Sequence, residues 1–313
     1  MIHLSVSTRT TMWGLAAILC FLTLAGAAQA APLLCWSMHD GIRTSNLDGT
    51  NINTWLSKPN YPIFAEVHDS PAVGKVYWFE SGGYIKRADY DGGNAELVIT
   101  DTKMYTTAGD FAINRLNGDV YWANVNGELW RAGPDGSNKQ LVRSGLASSG
   151  AIEIDPIHQK LFWLQYSVGT DIYMGDLNGG SATYLTSVSS LWKVTDLAVD
   201  TQSSRLYWSE TGVTVNERVR RLGLGPGTPS VIVDAELGYL NDVTLDLDSG
   251  RLLLVDRSGD RILQCGLDGS GLTTLISGED EPQHLTILPV PEPATMVLLG
   301  LAGAAVLYHR RRF

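Results

Sequence analysis

Cysteine is scarce, three residues in 313, and one of them, Cys20, sits in an apolar N-terminal stretch. That excludes a small domain held by a disulfide framework, which needs several cysteine pairs. Cys35 and Cys265 remain, at opposite ends of the chain. Two readings stay open for them. One is a bridge across the junction of a ring-shaped fold. The other, favoured by the narrow geometry of a disulfide, is two separate buried thiols. Positive charge is also short: 23 Lys and Arg against 33 Asp and Glu, a formal net charge of −10. With Arg9, Glu292, Arg310, Arg311 and Arg312 set aside as terminal, the body carries 19 basic and 32 acidic residues, or −13. A phosphate backbone calls for a basic patch, so nucleic acid is not an expected partner. An acidic surface suits solubility or weak cation binding.

Catalytic signatures are missing too. The body holds His39, His68, His158 and His284, and no His-Glu-x-x-His pair. There is no Gly-x-Ser-x-Gly elbow and no phosphate-cradling Gly-rich loop ending in Lys and Ser/Thr. Asp89-Tyr90-Asp91-Gly92-Gly93-Asn94 has the outline of a calcium loop without its twelfth-position Glu. It falls where a hairpin turn is expected, and a turn is the expectation here.

No apolar run reaches the roughly 20 residues of a comfortable bilayer span. Two shorter runs stand at the ends. Arg9 precedes an apolar stretch from Met12 to Ala28, and Ala28-Gln29-Ala30 is a small-x-small cleavage site. Residues 1–30 therefore read as a secretory signal peptide. At the other end, Pro291-Glu292-Pro293 leads into an apolar run from Ala294 to Tyr308, then His309 and Arg310-Arg311-Arg312-Phe313. This order closely resembles the PEP-CTERM sorting signal of Gram-negative bacteria. The resemblance implies transient membrane association through a short helix, and recognition and removal of the tail by an exosortase, in bacteria that make exopolysaccharide. The alternative is a plain C-terminal anchor with a basic cytoplasmic flank.

What the chain has in quantity is glycine, 33 residues, and tryptophan, nine. Both belong to a repeat. Tyr77-Trp78, Tyr121-Trp122, Phe162-Trp163 and Tyr207-Trp208 are preceded by Cys35-Trp36 and followed by Leu253-Leu254, at intervals of 42, 44, 41, 45 and 46 residues. Before the pair comes an alternating run closed by an acid or amide, as in Asp196-Leu197-Ala198-Val199-Asp200. After it come a third strand, a turn such as Asp135-Gly136, and a last apolar strand. Four short strands repeated six times predict an all-β, six-bladed β-propeller whose aromatics fill the space between blades. The first copy lacks its opening strand, and an orphan run, Gln283 to Ile287, follows the sixth. Three N-terminal strands and one C-terminal strand would then share a blade and leave no exposed edge. The predicted divisions are 1–30 signal peptide, 31–289 propeller and 290–313 sorting signal, with helical segments at the two ends.

The pattern resembles the YWTD repeat (low-density lipoprotein receptor class B) of lipoprotein receptors, nidogen and similar bacterial propellers, over residues 33 to 288. No copy carries the full Tyr-Trp-Thr-Asp string, and blade six replaces both aromatics with leucine. Relatives of this kind are mostly protein-binding modules.

First strands line the channel of a propeller, so equivalent starting positions converge on one mouth. They hold Asp110, Ala151, Asp196, Asp242 and His284. Asp110, Asp196, Asp242 and His284 are the candidate ligands for a cation, Ca²⁺ among them, or for a polar molecule. The alternative is that they cap loops or bond neighbouring blades. A second ring, Glu80, Asn124, Gln165, Glu210 and Asp256, is expected to bond backbone between blades. The expectation for function is an exported, non-enzymatic module that binds protein or polysaccharide at the cell envelope or matrix, with no resident cofactor. Two others stand behind it: a lactonase-like hydrolase or lyase using a channel metal, and a purely structural matrix component.

Overall fold

The computed structural model describes residues 31–57, 67–70, 73–104, 111–146, 149–212 and 216–289. Both terminal segments, with the expected signal peptide, sorting signal and helices, lie outside the described residues. Within 32–289 the chain forms one compact unit. Its described residues form 24 strands in six four-stranded antiparallel sheets.

Blade one holds β1 (Leu33–Met38), β2 (Gly41–Asn46) and β3 (Asn53–Ser57). Blade two follows with β4 (Val67–Ser70), β5 (Lys75–Glu80), β6 (Tyr84–Asp89) and β7 (Glu96–Thr100). Blade three is β8 (Phe111–Ile113), β9 (Val120–Asn124), β10 (Glu128–Ala132) and β11 (Gln140–Arg143). Blade four is β12 (Ser149–Asp155), β13 (Lys160–Tyr166), β14 (Thr170–Asp176) and β15 (Ala182–Val188). Blade five is β16 (Trp192–Asp200), β17 (Arg205–Gly212), β18 (Glu217–Gly223) and β19 (Ser230–Ala235). Blade six is β20 (Leu240–Asp246), β21 (Arg251–Asp256), β22 (Arg261–Gly266) and β23 (Thr273–Ser277). The last strand, β24 (Leu285–Leu288), pairs antiparallel with β1, Leu33 opposite Leu288 and Trp36 opposite Leu285. The innermost strands β4, β8, β12, β16, β20 and β24 neighbour one another in that cyclic order.

The aromatic pair works because successive strand residues point to opposite faces. Trp78 meets Trp55 of blade one edge-to-face at 5.8 Å between ring centres. Tyr77, one residue earlier, donates its hydroxyl to the Pro134 carbonyl of blade three at 3.0 Å. A single dipeptide thus fills two interfaces, and both side chains are fully buried. In blade six Leu253 and Leu254 do the same with aliphatic bulk alone.

The Asn-Gly and Asp-Gly turns carry a second duty. Gly179 has φ 73°, and a Cβ there would run into the Val142 carbonyl on the outer strand of blade three. Glycine is needed both for the left-handed backbone and for the approach of the neighbouring blade. The closing acids cap the first turn of their blades: Asp200 accepts the Gln202 and Ser203 amides, each at 2.9 Å, and Asp155 those of Ile157 and His158. The Asp89–Asn94 segment is the hairpin turn, Gly92 N–H donating to the Asp89 carbonyl.

Cys35 and Cys265 are buried thiols in different core clusters, the first among Tyr77, Trp78 and Phe111, the second among Tyr207, Leu252 and Leu254. Burial pushes the Cys265 thiol up to about 11, so it stays protonated and packs as a small apolar group.

Candidate functional site

Register fixes which residues are equivalent. In every described inner strand one residue sits opposite the first member of the aromatic pair: His68, Ala112, Glu153, Ala198, Thr244 and Thr286. The starting positions named from sequence lie two residues earlier. Strands β16 and β20 each slip register just before that position, between Val194 and Asp196 and between Leu240 and Asp242. Such bulges re-aim the following side chain.

The result brings three of the four sequence candidates together. Asp196, Asp242 and His284 are buried, and one ligand atom from each lies within 4.8 Å of the others. His284 Nδ1 stands 3.4 Å from Asp242 Oδ2. Asp110 lies outside the described residues. The carboxylates also bond the next blade: Val243 N–H donates to Asp196 at 3.1 Å, and Leu285 N–H to Asp242 at 2.6 Å. The Thr244 hydroxyl, with one hydrogen to give, donates to the Leu285 carbonyl at 2.7 Å and stands 3.1 Å from Asp242 Oδ1. Asp196 thus serves the fold through one oxygen and Asp242 through both, and neither set of bonds exhausts the lone pairs.

Beside the trio is a cavity of about 270 Å³. His68, Glu153, Thr244, His284 and Thr286 supply its polar surface, and Ile113, Ile154, Val199 and Leu245 its apolar walls. Arg115, Pro156, Ile157, Thr201 and Leu247, from the first turns of the blades, form the rim at the end away from the strand starts. The His68 and His284 rings are 5.2 Å apart, and His68 meets Phe111 edge-on at 4.8 Å.

Burial dominates the electrostatics here, because it disfavours every charged form. It raises Asp196 to about 8, reinforced by the Asp242 carboxylate and opposed by His284. It raises Asp242 to about 7, opposed by the Leu285 amide and the Thr244 hydroxyl. It raises Glu153 to about 8, with Asp196 adding repulsion. It lowers His284, against the pull of Asp196, and holds His68 well below the usual imidazole range, helped by His284. The centre is therefore a set of acids reluctant to ionise beside imidazoles reluctant to protonate. Such a set can share protons or hold a cation.

Glu153 and His68 do not figure among the strand-start candidates. Their signal is legible in retrospect: each follows the starting position by two residues, and period-two alternation puts both on the channel face. Glu153 even interrupts an otherwise apolar run, Ala151-Ile152-Glu153-Ile154.

The second ring behaves differently from expectation. Its acids and amide mostly serve their own blade, not backbone across blades. Trp78 donates its indole N–H to Glu80 at 2.9 Å, and Trp208 to Glu210 at 2.7 Å. Asp256, where blade six has no tryptophan, accepts the amides of Gly238 and Gly259 and pairs with Arg261 at 2.8 Å. Blades one and three take the indole partner from the chain leaving the preceding blade: Trp36 donates to Glu279 at 3.0 Å, and Trp122 to Asp101 at 3.0 Å. The indole N–H, an obligatory donor once buried, explains the change of partner.

Comparison with known proteins supports the same architecture. Residues 289–312 match the PEP-CTERM protein-sorting motif. That motif implies processing by an exosortase, and it indicates export to the envelope or surface in Gram-negative bacteria. The fold is similar to a solved chain of a nidogen/laminin complex, with TM-score 0.70 and 20% identity over 82% of this chain and 98% of that one. It is also similar to TolB from Acinetobacter baumannii, with TM-score 0.65 and 15% identity over 87% of this chain and 70% of that one. At these identities the likeness is one of fold. Protein cueball from Drosophila erecta is 28% identical over 151 residues, and that from Drosophila sechellia 25% over 150. The match takes in 46% of this chain and 23% of those relatives' length. Among the described residues, no helix is long and apolar enough to cross a membrane.

Proposed function

We propose that this six-bladed propeller with a PEP-CTERM sorting motif is an exported binding module that engages a protein partner on one face of its disc. On this reading residues 1–30 are an export leader, 31–289 the propeller and 290–313 the segment an exosortase handles. The blade shared between β1–β3 and β24 closes the ring.

One observation carries the choice of face. Val168, in the turn after β13, is 91% exposed, and Leu191, just before β16, is 70% exposed. Both stand within three residues of the Thr170–Val188 pair, so they share the face where the inner strands begin. Beside them Arg218 lies 3.8 Å above the Trp192 ring, and Lys193 bonds the Tyr239 hydroxyl at 3.2 Å. Exposed aliphatics flanked by Trp, Tyr and Arg have the composition of a protein interface. At this patch Arg218 covers the Trp192 ring on which a sugar would stack. Protein is therefore favoured over polysaccharide.

The test is capture from envelope fractions by the wild-type chain and by Val168→Asp/Leu191→Asp. Recovery of a defined protein by wild type and its loss in the double variant is the expected result. Equal capture by both, or retention of polysaccharide alone, would overturn the reading.

A further inference from the structure

The inner ends of blades five and six and the final strand hold a feature that the face-binding reading does not use. Asp196 and Asp242 are at most 8% exposed, and the His284 side chain is 12% exposed. Buried carboxylates are ordinarily paired with a cation or coordinate one. Arg115 is the one Lys or Arg among the residues lining the adjoining cavity, and it stands at the rim. The Val243 amide bonds Asp196 Oδ2 and the Leu285 amide bonds Asp242 Oδ2, the same Asp242 oxygen that His284 approaches at 3.4 Å, so an ion there would share that oxygen's second lone pair.

Distances decide whether a metal fits. Ligand atoms around a tetrahedral ion at about 2.0–2.2 Å stand about 3.3–3.6 Å apart. His284 Nδ1 and Asp242 Oδ2 already stand 3.4 Å apart, and the trio lies within 4.8 Å, so the widest pair closes by about 1.2–1.5 Å as the ion binds. The cavity reaches His284 from the opposite end of the channel, which gives an ion a route and leaves room for water to complete its shell. The donor set selects the metal. Ca²⁺ takes six to eight oxygens and has no use for imidazole nitrogen. One imidazole with two carboxylates suits a borderline divalent ion such as Zn²⁺.

We propose that Asp196, Asp242 and His284 form a binding site for a transition divalent cation of the Zn²⁺ class, open to the central cavity. The site is separate from the outer-face reading and stands or falls without it. Glu153, which repels Asp196 electrostatically, lies beside the ion and in reach of a ligand that enters the cavity.

The full chain, stripped with chelator, is titrated calorimetrically with Zn²⁺ and separately with Ca²⁺, with folding checked by circular dichroism. The expected result is one Zn²⁺ per chain, no competition from equimolar Ca²⁺, and binding weakened about tenfold or more in Asp196→Asn and in His284→Gln. No Zn²⁺ binding by the folded wild type, preference for Ca²⁺, or undiminished binding in both folded variants overturns the proposal. If neither variant folds, Co²⁺ in the wild type decides. Visible bands shifted or intensified relative to hydrated Co²⁺ support the site, and a spectrum unchanged from hydrated Co²⁺ overturns it.

Discussion

Between the blades, large rings bury completely and the indoles of Trp36, Trp78, Trp122 and Trp208 each find a carboxylate; at the centre, carboxylates bury beside other carboxylates. Trp208 shows the first arrangement. Its ring is fully enclosed and its N–H meets Glu210 at 2.7 Å, with Arg220 beside the same carboxylate. Asp196 shows the second: burial and the Asp242 carboxylate raise it, it repels Glu153 in turn, and the opposing influence comes from His284 and backbone amides. The inter-blade space is optimised for the fold. The channel is built at some cost to the fold, and groups kept under such conditions are candidates for function.

The contrast can be broken at several strengths. Trp208→Ala should have the largest effect, a loss of about 3–5 kcal/mol in denaturant unfolding, because a full ring is removed from a closed interface. A loss below about 1 kcal/mol would mean the shell is not the source of stability. Glu279→Ala strips the partner from the Trp36 indole and from Arg43, which contacts it at 3.1 Å, across the seam between blades six and one. A cost of about 1–3 kcal/mol is expected, and an unchanged midpoint would show that the seam does not depend on this bond. Asp200→Ala removes a turn cap, with its amide bonds from Gln202 and Ser203. A loss of about 1 kcal/mol is expected, measured the same way, and none at all would mean water replaces the cap.

The architecture was legible in the sequence because it is written as repetition. Trp36, Trp78, Trp122, Trp163 and Trp208 recur at blade spacing, and the turn glycines and closing acids recur with them. The site was legible in part. Asp196, Asp242 and His284 share a place in the repeat, so register alone brings them near each other. The cavity was not legible. It depends on residues that differ from blade to blade, His68, Glu153 and Thr244, and on Arg115 and Ile157 in turns. Their roles come from how six strand ends converge, which no single repeat encodes. The indole partners were missed for a similar reason: Glu279 and Asp101 lie in the segments that connect blades, apart from the aromatic pairs and closing acids that mark the repeat.

The most direct test of the contrast is thermal unfolding of Glu153→Gln against wild type, with chelator present, at pH 9 and at pH 5. Burial and Asp196 raise Glu153 to about 8 in the folded chain. The unfolded value is about 4.3. The folded state therefore binds the extra proton, so this group's contribution is fully present below the unfolded value and is lost as pH rises through about 8. At pH 9 the neutral glutamine should unfold at a higher temperature than the ionised wild type, and the gap should close toward pH 5. A variant less stable than wild type at both pH values would contradict the account, placing Glu153 with the groups that hold the propeller together.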